Sequence, residues 1–245
     1  MRGLGTLINL ATVLAGGLTG VFIGDRLPER ARRTVMQGLG LVTIAVAVVG
    51  FEPLFDPDEG LKRFVILIVS IIAGGLIGEL LMLEERLEGA GERLRARFEK
   101  LTRVDSEPDH SRFVEGFVIA TTVFCVGPLT ILGAVEDGLG LSIRLLAIKS
   151  TLDGFAAIGF ASIYGWGVLA SLISVALIQG LITAGAALIS PLMTSEVIAQ
   201  LGATGSLLIL GISFRLLDIA KVRIMSLLPA LLIASVTAGA VEAVA

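Results

Sequence analysis

The sequence predicts an all-α polytopic membrane protein with about eight transmembrane helices. Three observations carry that expectation. The 245 residues are 55% hydrophobic and only 17% charged, with a mean hydropathy of +0.92, where a soluble domain carries about 25% charge. Apolar runs of roughly 18 residues or more alternate with short charged loops, the pattern of repeated membrane crossings. Basic residues gather in every second loop, as orientation in a bilayer requires. The net charge of −3 describes those loops and carries no information about partners. The single cysteine, Cys125, excludes an intrachain disulfide and reads as a small packing residue.

The first span is expected at about Leu4–Gly24. Only Arg2 precedes it, and more membrane protein follows, so it reads as a retained span rather than a signal peptide. Gly16, Gly17 and Gly20 allow another backbone to approach closely, and Asn9 calls for an interhelical hydrogen bond. The loop Asp25–Thr34 carries Arg26, Arg30, Arg32 and Arg33, and Glu29–Gln37 is expected to lie along the membrane interface. Span two, about Met36–Phe51, is short for a core of ~30 Å, so it must extend into the basic segment or be buried. Glu52–Gly60 is acidic, and Pro53 and Pro57 oppose helix there. Span three covers about Phe64–Leu83, with Glu79 inside its apolar run behind Gly74, Gly75 and Gly78. That acid is expected to snorkel or to pair locally. Leu83, Leu87, Leu94 and Phe98 recur at helical spacing through the charged stretch Glu84–Arg103, which reads as a cytosolic extension of span three. Val104–Ser111 is a polar linker broken by Pro108. Its His110 has no Cys or His companion and so does not read as a metal site.

The stretch from Phe113 to Ile163 is the expected functional centre. Gly127-Pro128 interrupts its first span. Lys149 and Asp153 stand near the middle of its second, with Ser150, Thr151 and Gly154 around them. Hydrocarbon solvates neither a free backbone group nor a charge, so each defect must be satisfied by protein or by a wet cavity. Lys149 and Asp153 are four apart and share a helix face, but in the weaker order for an isolated pair, so another partner must hold them. The candidate substrate- or ion-binding set is Lys149, Asp153, Thr151, Ser150, Gly127, Pro128 and Thr130: two charges, three hydroxyls and the carbonyls freed by the break. Thr121 and Thr122 are expected on the same path. The competing reading is an ion pair that only fixes helix register.

Glu136–Gly140 reads as a tight turn, and Tyr164 and Trp166 as interfacial aromatics. Span six is expected at about Gly167–Ser190, with Gln179 in its middle and Pro191 at its end. Met193–Gln200 reads as a second flat segment, span seven as about Gly202–Leu217, and span eight as about Ile224–Val244. Arg215, Lys221 and Arg223 lie between the last two.

The two ends of the chain share an order of features: long span, surface segment, short span, then a span closing in AGGLIGE or TAGAVE. The expected organisation is a three-helix repeat over 1–83, a charged helix and linker over 84–112, a central broken-helix pair over 113–165 and a second three-helix repeat over 166–245. With eight spans and both termini outside, the loops richest in arginine all fall inside. Seven spans with a re-entrant central segment would instead place Arg215, Lys221 and Arg223 outside. Eight spans make the repeats inverted, a recurring construction of secondary transporters.

CVGPLTILGAVEDG, IKSTLDGFAAIGFAS, LPALLIA and the opening GTLIN, GGLTG and GDRLPER resemble the YdfK/YqgA-type family of bacterial multi-spanning membrane proteins over nearly the whole chain. The resemblance implies a bacterial inner-membrane location and brings no catalytic residue. The residues themselves contain no catalytic triad, Walker loop, metal cluster or nucleotide fingerprint. The chain is therefore expected to be no enzyme and to need no cofactor and no nucleic acid. A secondary transporter or channel for a small polar solute or ion is the expected function. The alternative is a non-transporting sensor or scaffold that docks a cytosolic partner on Glu84–Arg103. The expected partners are the lipid bilayer, the solute or ion, and a second copy in a homodimer, since the first and third spans present Gly-rich faces.

Overall fold

The computed structural model describes residues 2–24, 26, 28–102, 110–125 and 128–244. Its helices are α1 (Leu4–Gly24), α2 (Glu29–Gly50), α3 (Gly60–Leu80), α4 (Leu83–Thr102), α5 (His110–Cys125), α6 (Pro128–Leu139), α7 (Arg144–Tyr164), α8 (Trp166–Ala184), α9 (Ala186–Ile189), α10 (Ser195–Leu216), α11 (Ile224–Leu227) and α12 (Pro229–Val244). Among the described residues there is no strand. Seven stretches are long and apolar enough to cross a membrane, with α11 and most of α12 forming one of them. The pair α5–α6, bent by 60°, makes an eighth if counted as one span.

Glycine determines how the bundle closes. A Cβ at Gly16 would fall 2.2 Å from the Gly154 carbonyl oxygen, one at Gly20 2.4 Å from that of Ile158, and one at Gly24 2.5 Å from that of Ser162. These rungs advance together along both chains, so α1 and α7 run parallel and in backbone contact, as small residues at i, i+4 and i+8 allow. Asn9 meets Gln179 and Thr6 meets Thr183, so α8 runs antiparallel to α1.

The same logic decides the nature of the broken pair. α5 starts beside the start of α8, where a Cβ at Gly167 would fall 2.0 Å from the Phe113 carbonyl oxygen. α6 ends beside the end of α8, where a Cβ at Gly138 would fall 2.1 Å from that of Thr183. Together α5 and α6 cover the full depth that α8 covers. They form one interrupted crossing, not a re-entrant loop. Elsewhere Gly40 and Gly50 face Leu217 and Ser206, and Gly74 and Gly78 face Ala230 and Ser226. α2 is thus antiparallel to α10, and α3 to α11–α12. The glycine faces that pointed to self-association are used within one chain.

Several boundaries differ from the expectation. The basic segment Glu29–Gln37 is the first part of α2, which supplies the length that Met36–Phe51 lacked. Met193–Gln200 is not a flat segment either. Thr194 caps α10, its hydroxyl accepting from the Val197 N–H at 3.3 Å, and the helix runs from Ser195. Glu52–Phe55 forms a 3₁₀ turn despite Pro53, because proline is tolerated where its N–H would be unpaired. α4 is not continuous with α3: the chain turns at Leu81 and Met82, the latter at φ 51°. α4 then lays Leu87 and Leu94 on Phe117, Val118 and Met225. His110 and Ser111 open α5, and the rest of the linker, 104–109, lies outside the described residues. Glu136 and Asp137 belong to α6, with the turn at Gly140, φ 74°. Tyr164, the last residue of α7, is buried, its hydroxyl 3.5 Å from Met36 Sδ.

Ion pairs tie both ends of the bundle. At one end Arg63 Nη2 lies 2.7 Å from Glu196 Oε2. At the other, Arg215 Nη1 lies 3.3 Å from Glu84 Oε1, whose second oxygen accepts the Met225 N–H at 2.9 Å. Arg223 there bridges Glu79 and Glu85, so Glu79 pairs locally.

Candidate functional site

The site is built where α1, α6, α7 and α8 meet. α7 places Lys149 and Asp153 one turn apart on a buried face, and Lys149 Nζ donates to Asp153 Oδ2. They lie five and nine residues beyond the first residue of α7, roughly 8 to 14 Å along its axis at 1.5 Å per residue. α7 packs along α1, the helix that carries Asn9. Asn9 Nδ2 donates to Gln179 Oε1 on α8 at 2.9 Å. Gln179 Nε2 reaches Thr6 Oγ1 at 3.4 Å. Thr6 lies 2.9 Å from the Thr183 hydroxyl and donates its hydroxyl, at 3.3 Å, and its backbone N–H, at 3.1 Å, to Asp137 Oδ2. One line of polar groups thus runs from Asp137, at the end of the bundle, through Thr6 and Gln179 to Asn9. Asn9, Gln179 and Asp137 are fully buried along it.

The predicted residues divide around this line. Lys149 and Asp153 pair with each other on α7, the helix packed along α1. Ser150 is buried beside them, but its hydroxyl donates to the Leu146 carbonyl of its own helix at 2.6 Å. Thr151 lies on the exposed side of α7 and donates to Ala147 O at 3.1 Å. Both hydroxyls are engaged by the helix backbone, as Ser and Thr in helices often are. Thr130 is buried on α6 and donates to Phe124 O at 3.2 Å, so it satisfies one of the carbonyls left free where α5 ends. Pro128 opens α6. Gly127 lies outside the described residues.

Asp137, Thr6 and Thr183 were not legible as site residues. Asp137 sits in EDG, a sequence that reads as turn chemistry. The available signal was spacing: Gly133 and Asp137 are one helical turn apart, and Gly133 packs on Leu146 of α7, the face that meets α1.

A cavity of about 1030 Å³ lies on another side of the break, among α4, α5, α6, α8, α10 and α12. Its lining is mainly apolar, with Thr121, Thr122 and Ser174 among the polar exceptions. Thr121 donates to Ser174 at 3.2 Å, and Thr122 to Val118 O at 2.8 Å. Thr121 and Thr122 therefore open on this cavity. Cys125 is buried and also lines the cavity.

Residues 4–238 match the family described as "Protein of unknown function (DUF554)". The chain belongs to the DUF554 family. This DUF554 chain is 32% identical over 231 residues to the "Uncharacterized protein YqgA" of Escherichia coli (strain K12), covering 94% of each. It is 30% identical over 239 residues to the "Uncharacterized membrane protein YdfK" of Bacillus subtilis (strain 168), covering 98% of this chain and 97% of that one. No solved structure matches it. The family resemblance read from the sequence is thereby established, and the DUF554 chain is an all-α membrane protein.

Proposed function

We propose that the protein is a secondary transporter or channel that moves a small polar solute or ion across the bacterial inner membrane. One observation carries the reading: a buried Lys149–Asp153 pair, at mid-depth and beside an interrupted span, lies on the helix packed along α1, where hydrogen bonds run from Asn9 through Gln179 and Thr6 to Asp137 at the end of the bundle. Buried charge costs several kcal/mol per ion even when paired. A register-fixing pair needs no chain of amides and hydroxyls leading to the surface, whereas a pathway for ions or polar solutes does. The antiparallel packing of α2 on α10 and of α3 on α11–α12 pairs the helices that the inverted repeats would relate, which supports that architecture and the transport reading with it. Both termini are then outside, and the end that carries Asp137 and Glu196 is the outer one. α4 lays Leu87 and Leu94 onto its own bundle, which leaves less of its apolar stripe for a docked cytosolic partner. Self-association must be sought on surfaces other than the glycine faces.

The test is solute flux in proteoliposomes, after a metabolite-wide thermal-shift screen on detergent-purified protein has supplied the solute. Single replacements of Lys149 or Asp153 leave an unpaired charge and lose about 3–5 kcal/mol, so they report on folding. The double replacement Lys149→Leu with Asp153→Met restores folding, and flux is expected to be abolished. Undiminished flux in the folded double variant returns the pair to architecture.

A further inference from the structure

Among the described residues, the cluster of buried polar groups where α1, α6, α7 and α8 meet is short of one positive charge. It contains two carboxylates, Asp153 and Asp137, and one ammonium, Lys149. Lys149 donates to Asp153. Asp137 is fully buried, and among the described residues no ion pair reaches it. It is packed hard against α1, where a Cβ at Gly5 would fall 3.3 Å from Asp137 Cγ. Its Oδ2 accepts both donors of Thr6, while its Oδ1 has no hydrogen-bond partner among the described residues. An isolated buried carboxylate is costly enough that it either gains a counter-charge or is neutralised.

The surroundings are those of a cation. The Asn9 side-chain oxygen, on the same face of α1 one turn from Thr6, is also buried without a partner among the described residues. The Thr6 and Thr183 hydroxyls add two further oxygens. Asp137 and Thr183 each stand in the last turn of their helices, α6 and α8, where the dipoles present their negative ends. All the donors are hard oxygens and only one carries charge, a set suited to an alkali ion rather than to a soft or divalent metal.

We propose that Asp137 holds one exchangeable monovalent cation on its Oδ1, with the Asn9 carbonyl and the hydroxyls of Thr6 and Thr183 as neutral donors. The shared chemistry is one positive charge at a buried carboxylate, supplied either by an alkali ion or by a proton. The site does not depend on the transport reading, because binding is measured without flux. The charged groups on the elements packed against α6 are Glu136 on α6 itself, Arg144, Lys149 and Asp153 on α7, and Glu196 and Arg215 on α10. α1, α8 and α9 carry none, and Arg2, before α1, lies against Gly140.

Purified protein in detergent is heated in NaCl, LiCl or KCl, with choline chloride holding ionic strength constant, at an acidic and an alkaline pH. Unfolding is followed by the single tryptophan, Trp166. The expected result is a saturable rise of the midpoint with one alkali ion. Asp137→Asn should abolish the rise while keeping an acceptor for Thr6, and Glu196→Gln should leave it intact. A midpoint that follows pH alone, and loses that dependence in Asp137→Asn, identifies the proton as the source. If Asp137→Asn fails to fold, Asn9→Ser and Thr183→Val are each expected to raise the half-saturating concentration, or to shift the pH midpoint, by about tenfold. No cation or pH dependence in the unmodified protein overturns the proposal. So does a dependence that survives Asp137→Asn, or one that neither Asn9→Ser nor Thr183→Val alters.

Discussion

Gly16 of α1 and Gly154 of α7 meet backbone to backbone, with no room for a single methyl group between them: a Cβ on Gly16 would fall 2.2 Å from the Gly154 carbonyl oxygen. The obstacle is main chain, not the end of a flexible side chain, so neither helix can yield locally. This contact sets the separation of α1 and α7, and with it the distance between Asn9 and the Lys149–Asp153 pair. Replacing Gly16 by Val is therefore expected to cost about 3 kcal/mol, the upper range for overpacking. Gly38→Ala on α2, where nothing lies within 4 Å, is expected to gain about 0.5–1 kcal/mol from helix propensity. Thermal unfolding of the two variants in one detergent checks the contrast.

The full-depth crossing of α5–α6 makes a topological prediction. Cysteines are placed in a Cys125→Ala background at Asp56, Leu141 and Asp218, all exposed. Those at Asp56 and Leu141 should be labelled from the outside of intact cells, and that at Asp218 only after permeabilisation. Asp137 is unsuitable as a reporter, because it is buried. Outside labelling at Asp218 would contradict eight crossings with outer termini.

Arg63 and Glu196 form a nearly buried pair: the guanidinium contacts Glu196 through Nε and Nη2 and donates to Pro53 O at 3.0 Å. Gln200 adds a hydrogen bond to Arg63 O at 2.9 Å. Glu196→Ala leaves the arginine without its counter-charge and is expected to cost about 2 kcal/mol. Glu196→Gln, which keeps an acceptor, should cost less. Denaturation midpoints of both variants give the order.

Outside the spans, Asp56 orders the turn into α3. The N–H groups of Glu59 and Asp58 donate to its Oδ1, at 2.9 and 3.0 Å, and hold its carboxyl below its usual pKa, with Arg63 adding to the effect. A depressed carboxyl stabilises the fold above its unfolded pKa of about 3.9, and loses that contribution as pH falls through the lower folded value. Asp56→Ala should therefore unfold earlier than the unmodified chain at pH 7, and the two midpoints should converge under strong acid. A gap that stays constant with pH would show that the carboxylate charge is not involved.

Some of this was already decided along the chain. The membrane class, the start and end of α1, the break near Pro128 and the pairing partners Lys149 and Asp153 all follow from local quantities: hydropathy summed over a span, a missing N–H, and two charges one turn apart. Only the tertiary structure decided the rest. Whether Glu29–Gln37 and Met193–Gln200 lie flat or continue a helix depends on what packs against them, since short amphipathic segments satisfy their backbone either way. Ser150, Thr151 and Thr130 look equally available in sequence, yet each hydroxyl is committed by its rotational position on a helix. Asp137 looks like a turn residue and becomes a buried carboxylate because Gly5 lets α6 close onto α1. Burial depends on which helix faces meet, and that is set by the backbone contacts of α1 with α7 and α8, between residues well over a hundred positions apart.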